Sequence, residues 1–110
     1  MTFEEYQKAT AETAVYPKEG DRGIVYTTLG MASEAGEVAG KYKKVLRDMQ
    51  GTLSDEMKKE MGKEVGDVLW YVSQVCAELG LSLEDVAAEN IAKLRSRKER
   101  GQLAGNGDNR

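Results

Sequence analysis

Two pairs of acidic residues have a spacing that suits a shared carboxylate site. Glu34 and Glu37 are three residues apart, as are Glu64 and Asp67, so within each pair the side chains take neighbouring positions on one helical face. Each pair encloses a glycine, and 26 residues separate the two pairs. If the two helices pair antiparallel, with the chain reversing in that gap, all four carboxylates meet at one level.

Four carboxylates at one point need a compensating cation or proton. Two like charges about 4 Å apart repel by about 4 kcal/mol at an effective dielectric of about 20. The chain has no histidine and one cysteine, which excludes zinc sites built from these residues and both Ser-His-Asp and Cys-His catalysis. All-oxygen ligation suits Mg²⁺ or Mn²⁺, and magnesium held by a few carboxylates usually meets substrate phosphates. The alternative is an ordinary solvated helix face, in a chain of which 32% is charged.

Four glycines lie inside the same two helical segments. Gly36, Gly40, Gly62 and Gly66 each weaken a helix by about 1 kcal/mol relative to alanine. Since glycine has no side chain, we expect these positions to let the two backbones approach closely and draw the acids together.

A basic face near the end of the chain complements the acids. Asn90, Lys93 and Arg97 recur at three- and four-residue steps, which puts an amide and two cations on one helical face suited to an anion. The alternative is a solvated helix end, where cations are favoured by the helix dipole.

Other side chains lie within reach of the acids. Tyr71 follows Asp67 by one helical turn, on its side of the helix, and is a candidate ligand contact. Lys41 follows Glu37 by one turn and is placed to pair with it. The aromatic residues Phe3, Tyr16 and Tyr26 are candidates for a base pocket, although no motif supports that role.

The pattern along the chain predicts an all-α fold. Apolar residues at helical spacing, polar caps and glycine stops predict four helices, over residues 2 to 14, 25 to 48, 54 to 79 and 82 to 99. No alternating strand pattern competes with them. We predict one domain over residues 1–100, followed by a polar, glycine-rich tail over residues 101–110.

The two long helices predict an elongated, four-helix bundle-like chain. Each has about 25 residues and is therefore about 37 Å long, whereas a compact domain of this size has a radius of gyration of about 13 Å. The apolar surface of such a thin antiparallel pair of helices must be shielded from water by other parts of the protein. We therefore predict a homo-oligomer.

Composition excludes several classes of protein. A net charge of −3 does not point to a nucleic-acid polymer as partner. No apolar run approaches the ~20 residues that span a bilayer. With Cys76 as its single cysteine the chain has no internal disulfide, which indicates a cytoplasmic location.

The two acid motifs, in this order and at this spacing, resemble the signature of the MazG-like nucleotide pyrophosphohydrolases, members of the all-α NTP pyrophosphatase superfamily. The segments SEAGEVAGKYKK, KEVGDVLWYV and ELGLSLEDVAAENIAKLRSRKERG also resemble the corresponding family segments. The similarity covers roughly residues 25–101. It implies Mg²⁺-dependent hydrolysis of a nucleoside triphosphate to a monophosphate and pyrophosphate, by a homodimer or homotetramer.

The resemblance also implies roles for individual residues. It implies that the metal ligands are Glu34, Glu37, Glu64 and Asp67. It implies that the phosphates are held by Lys93 and Arg97, with Asn90 and Tyr71 as further substrate contacts. From the ligand chemistry we expect that Mn²⁺ can substitute for Mg²⁺. Among the four acids we predict Glu37 as the general base.

Other functions remain open on the sequence. A dUTPase-like or dCTPase-like enzyme would use the same acid scaffold with a narrower choice of base. A related enzyme would hydrolyse another phosphoanhydride, such as an alarmone. A non-catalytic helical interaction module would use the acids to bind a basic partner. The preferred base and sugar and the number of ions stay undetermined.

Overall fold

The computed structural model describes residues 1–110, and all of its regular structure is helical. The elements are α1 (Phe3–Thr10), a 3₁₀ turn (Ala11–Thr13), α2 (Arg22–Asp48), α3 (Asp55–Glu78) and α4 (Leu83–Glu99). The predicted all-α class with four helices is confirmed. None of these helices combines the length and the apolar character that crossing a bilayer requires.

Polar caps begin three of the helices where the sequence predicts them. The Thr2 hydroxyl accepts a hydrogen bond from the Glu5 backbone N–H, and the Glu5 carboxylate accepts one from the Thr2 N–H, which completes a capping box. Ser54 and Ser82 each accept from the backbone N–H three residues on. Gly80 follows α3 with φ of +69°, a left-handed conformation that glycine adopts without strain.

Helices α2 and α3 form the most extensive helix–helix contact of the chain. At Gly30 of α2 an added Cβ would overlap the ring of Tyr71 on α3, and at Gly23 it would overlap the carboxylate of Glu78. The two helices thus meet closely where α2 lacks a side chain. Helix α2 begins at Arg22, three residues earlier than the apolar spacing predicts.

The glycines that we predict to bring α2 and α3 together do not do so within one chain. A Cβ added at Gly36, Gly40, Gly62 or Gly66 would meet nothing within 4 Å. That prediction was wrong because these positions lie off the contact face. Gly36 is six residues from Gly30, which is roughly 120° around the helix.

The chain is flat and open rather than elongated. Its dimensions are 43 × 43 × 27 Å and its radius of gyration is 16.9 Å, against about 13 Å for a compact domain of this size. The reason is that α4 packs on α1 and on α3 and does not close a bundle around α2.

Few side chains are removed from solvent in the single chain. Nine of 110 residues are buried, and the buried hydrophobic ones are Val45, Cys76 and Leu83. Large apolar side chains stay exposed on α2 and α3, among them Leu29 (65%) and Val65 (55%).

Candidate active site

Three of the four predicted acids converge at one point. One carboxylate oxygen from each of Glu34, Glu64 and Asp67 lies within 4.8 Å of the other two. Glu34 comes from α2, and the other two come from adjacent positions on α3. Glu34 and Glu64 are half-buried, while Asp67 is exposed. The fold thus brings together acids that are far apart in the sequence; we refer to these three as the acidic cluster.

Glu37 lies at the margin of the acidic cluster. It is exposed and is not among the three residues whose oxygens lie within 4.8 Å of one another. Its charge nevertheless acts on Glu34, because it is one of the charges that raise the pKa of that carboxyl. The metal-ligand role that the resemblance implies for Glu37 and the general-base role that we assign to it both stay predictions.

The acidic cluster has an excess of negative charge. Partial desolvation raises the pKa of Glu34, and the charges of Asp67 and Glu64 raise it further. One cation offsets part of this charge, since Lys41 Nζ lies 3.5 Å from Glu64 Oε1. The donor set is therefore made of hard carboxylate oxygens with incomplete charge compensation, which suits a divalent cation.

The pairing of Lys41 differs from the one that we predict. The ammonium group contacts Glu64 on the neighbouring helix instead of Glu37 on its own helix. Glu37 is exposed, whereas the Lys41 and Glu64 side chains are only 30% and 20% exposed. A less hydrated carboxylate attracts the cation more strongly, so the contact between helices replaces the local one.

We expect Glu34→Gln to stabilise the metal-free protein at neutral pH. Because the folded-state pKa of Glu34 is raised above its ordinary value of 4.5, the native state favours the protonated form, and its contribution to stability is lost as pH rises through the folded-state pKa. In chelator, the thermal midpoint of the variant should exceed that of the wild type at pH 7, and the difference should close below about pH 4.5.

Glu60→Gln is the matched control for this prediction. The pKa of Glu60 is lowered by its hydrogen bond to Lys63, so this group contributes stability above its ordinary pKa and loses it in acid. The control should therefore gain nothing at pH 7. A Glu34→Gln midpoint equal to that of the wild type at every pH would contradict the unfavourable charging of Glu34.

Two tyrosines border the acidic cluster. Burial and the neighbouring Tyr26 raise the pKa of Tyr71, and the charges of Glu34 and Asp67 add to the effect. Burial also raises the pKa of Tyr6, and the charge of Asp67 contributes. The one-turn spacing from Asp67 places Tyr71 beside the acids, and its role as a ligand contact stays a prediction. The sequence gives no signal for Tyr6, which comes near Asp67 because α1 packs on α3.

The candidate base-pocket aromatics fall into two places. The rings of Tyr16 and Tyr26 stack on each other with centroids 5.3 Å apart, and the Tyr16 hydroxyl donates a 2.6 Å hydrogen bond to Glu78. The Tyr26 ring lies 6.4 Å from that of Tyr71, so this pair adjoins the cluster. Phe3 instead lines a cleft against α4.

The predicted phosphate-binding residues share one surface of α4. Asn90 and Lys93 line a polar cleft of about 300 Å³ together with Asp108. Lys93 Nζ lies 2.8 Å, and Arg97 Nη2 3.2 Å, from the same Asp108 oxygen. No hydrogen bond or ion pair joins this surface to the acidic cluster. No pattern in residues 101–110 predicts that the carboxylate of Asp108 contacts these two cations.

Comparison with known proteins identifies the family. Residues 25–101 match the MazG nucleotide pyrophosphohydrolase domain. The chain is also similar to the "Gene 37 protein" of Mycobacterium phage L5, with 45% identity over 114 aligned positions that span all of both chains. No solved structure matches it significantly. With its two acid motifs inside the matched segment, the chain belongs to the MazG nucleotide pyrophosphohydrolase family.

Proposed function

We propose that this protein is a Mg²⁺-dependent enzyme that hydrolyses a nucleoside triphosphate to a nucleoside monophosphate and pyrophosphate. The observation that supports this most directly is the convergence of Glu34, Glu64 and Asp67 within a MazG domain. An isolated acidic cluster is common on protein surfaces. This cluster, however, joins the two family motifs from different helices, and its negative charge is only partly compensated. Both features are expected of a metal site that binds a polyphosphate.

The donor set fits the proposed metal. Glu34, Glu64 and Asp67 would hold Mg²⁺, with Mn²⁺ as a substitute, and Glu37 at the margin would be the fourth ligand. Carboxylate oxygens without nitrogen or sulfur are the ligands that these hard ions prefer. When bound, the ion would supply charge stabilisation for the phosphate oxygens of the substrate.

The remaining chemistry falls to side chains of this chain. Glu37 is exposed beside the cluster, where it would take a proton from the attacking water as the bond between the α- and β-phosphates breaks. Lys93 and Arg97 would neutralise the departing pyrophosphate. Asn90, next to Lys93, and Tyr71, next to the acids, would contact the substrate.

We further propose that residues 1–100 form the catalytic domain and that it works as a homodimer or homotetramer. The small number of buried residues and the exposed apolar side chains of α2 and α3 favour a second copy as cover. The contacts of Gly23 with Glu78 and of Lys41 with Glu64 support an antiparallel pairing of the two helices. A cytoplasmic location stays a prediction from the single cysteine.

A panel of nucleotides tests the proposed activity. Canonical, deoxy and modified nucleoside triphosphates and an alarmone are incubated with the protein in Mg²⁺, in Mn²⁺ and in chelator, and the released phosphate products are measured. We expect pyrophosphate and monophosphate in Mg²⁺, turnover also in Mn²⁺, and none in chelator.

The panel also separates the alternatives. A large preference for dUTP or dCTP would support the base-selective enzyme, and hydrolysis of an alarmone alone would support the related phosphoanhydride hydrolase. No turnover of any nucleotide in either metal would contradict an enzymatic function. The non-catalytic interaction module would then be the remaining alternative.

A further inference from the structure

The tail, residues 101–110, folds back onto α4 as a loop with its own hydrogen bonds. The Gln102 N–H donates to the Arg97 carbonyl, and the Arg110 guanidinium donates to the carbonyls of Gln102, Leu103 and Gly107. Leu103 shares a shallow apolar cleft with residues of α4. These contacts return Asp108 to the surface of α4 that holds Lys93.

Arg97 is a buried cation with unused hydrogen-bonding capacity. Its side chain is 5% exposed, although arginine is almost never so buried unless it is paired. Nη2 donates to the Asp108 carboxylate and to the Asp108 carbonyl. Nε is buried and has no partner. An unpaired donor on a buried guanidinium is costly, which indicates that this site is shaped for a ligand with more acceptors than it now meets.

Lys93 completes an anion site with Arg97. Its ammonium donates to the same Asp108 oxygen that accepts from Arg97. These hydrogen bonds lower the pKa of Asp108, so its carboxylate is charged at neutral pH. Two cations therefore converge on one carboxylate oxygen, which is the arrangement that a terminal phosphate oxygen would also satisfy.

Asp108 is the ion-pair partner of the buried Arg97, but few contacts hold its own side chain in place. Its side chain is 77% exposed, and its carboxylate contacts no cation apart from Lys93 and Arg97. A phosphate group offers three oxygens and more charge, and it can engage the Nε and Nη2 of one guanidinium in parallel. The Asp108 carboxylate makes no bond to Nε. A pyrophosphate group is thus the better ligand for the same donors.

We propose that the Asp108 carboxylate is an internal competitor of pyrophosphate at Lys93 and Arg97, so that docking of the tail and binding of the anion exclude each other. The inference rests on the proposed function in taking the pyrophosphate moiety as the ligand of this site. A tail that is docked about nine-tenths of the time lowers the apparent affinity for the anion about tenfold. The tail would thereby weaken retention of the product and of the substrate phosphates alike.

Binding of inorganic pyrophosphate to the full-length chain tests the inference. Calorimetry compares the wild type with Asp108→Asn, and Glu99→Gln is the matched control, because it removes an exposed acid beside the tail that has no contact with the two cations. We expect Asp108→Asn to bind pyrophosphate about tenfold more tightly and Glu99→Gln to bind as the wild type does. Exchange of the Gln102 amide hydrogen, which the docked tail bonds to the Arg97 carbonyl, should also accelerate when pyrophosphate is added.

The outcomes separate this inference from the proposed function. Unchanged or weaker binding by Asp108→Asn, no binding by either protein, or a tail whose exchange ignores bound pyrophosphate would each overturn the competition, whatever the nucleotide panel shows. Tighter binding by Asp108→Asn together with a released tail supports it. If no nucleotide is hydrolysed in that case, the proposed function fails while the anion site stands.

Discussion

Asp67→Asn is expected to lower kcat/KM for nucleoside triphosphate hydrolysis by about 10²–10³-fold, the range observed when one group that stabilises transition-state charge is removed. The variant keeps the shape of the side chain and removes one charge from the acidic cluster. Because Asp67 is exposed and makes no ion pair, its loss leaves no buried charge unpaired. Neutralising it also relieves repulsion with Glu34 and Glu64, so the helices should stay folded.

Glu60→Gln is the control for loss of an acid from the same helix. Glu60 lies seven residues before Asp67, pairs with Lys63 and is outside the acidic cluster. We expect its activity to stay within a few-fold of the wild type, since Glu60 lies outside the acidic cluster and its exposed ion pair contributes little to stability. Circular dichroism and thermal midpoints in chelator show whether each variant is folded. Full activity of Asp67→Asn would contradict the proposed site, and its unfolding would indicate a structural role.

The acidic cluster could be predicted from the sequence because it depends mostly on local geometry. A three-residue spacing fixes a shared helical face, and a chain reversal between Glu37 and Glu64 suffices to bring the two motifs to one level. Helix starts are equally local, since the hydroxyls of Thr2, Ser54 and Ser82 accept bonds from residues three positions on. Such features need no knowledge of which faces of the helices meet.

The features that the sequence did not predict depend on how helices are rotated against one another. Spacing alone gives Lys41 a partner on its own helix, whereas the half-buried carboxylate of Glu64 across the helix contact binds it instead. Spacing alone also led us to assign a packing role to Gly36, whereas Gly30 is the glycine in contact with Tyr71. The pairing of Arg97 with Asp108 is a further case, because it requires the tail to turn back on α4.

Gly30→Ala is expected to destabilise the protein and reduce its activity. A methyl group at this position would overlap the ring of Tyr71, so the ring or the two backbones must move. Such overpacking typically costs about 1–3 kcal/mol, against which alanine returns about 1 kcal/mol of helix propensity. Displacement of Tyr71 would also disturb the surroundings of Glu34, whose charge acts on that tyrosine.

Gly40→Ala isolates the cost of the clash, because it makes the same substitution in the same helix. A Cβ at Gly40 meets nothing within 4 Å, so this variant should gain up to about 1 kcal/mol from helix propensity alone. The propensity contribution cancels in the comparison, and the difference in unfolding free energy between the two variants should equal the overpacking cost of about 1–3 kcal/mol. Chemical denaturation at equal protein concentration measures it, since an oligomer's stability depends on concentration. Equal stability of the two variants would contradict the close approach at Gly30, whereas a loss at Gly40 would mean that a second copy covers the face left open in the single chain.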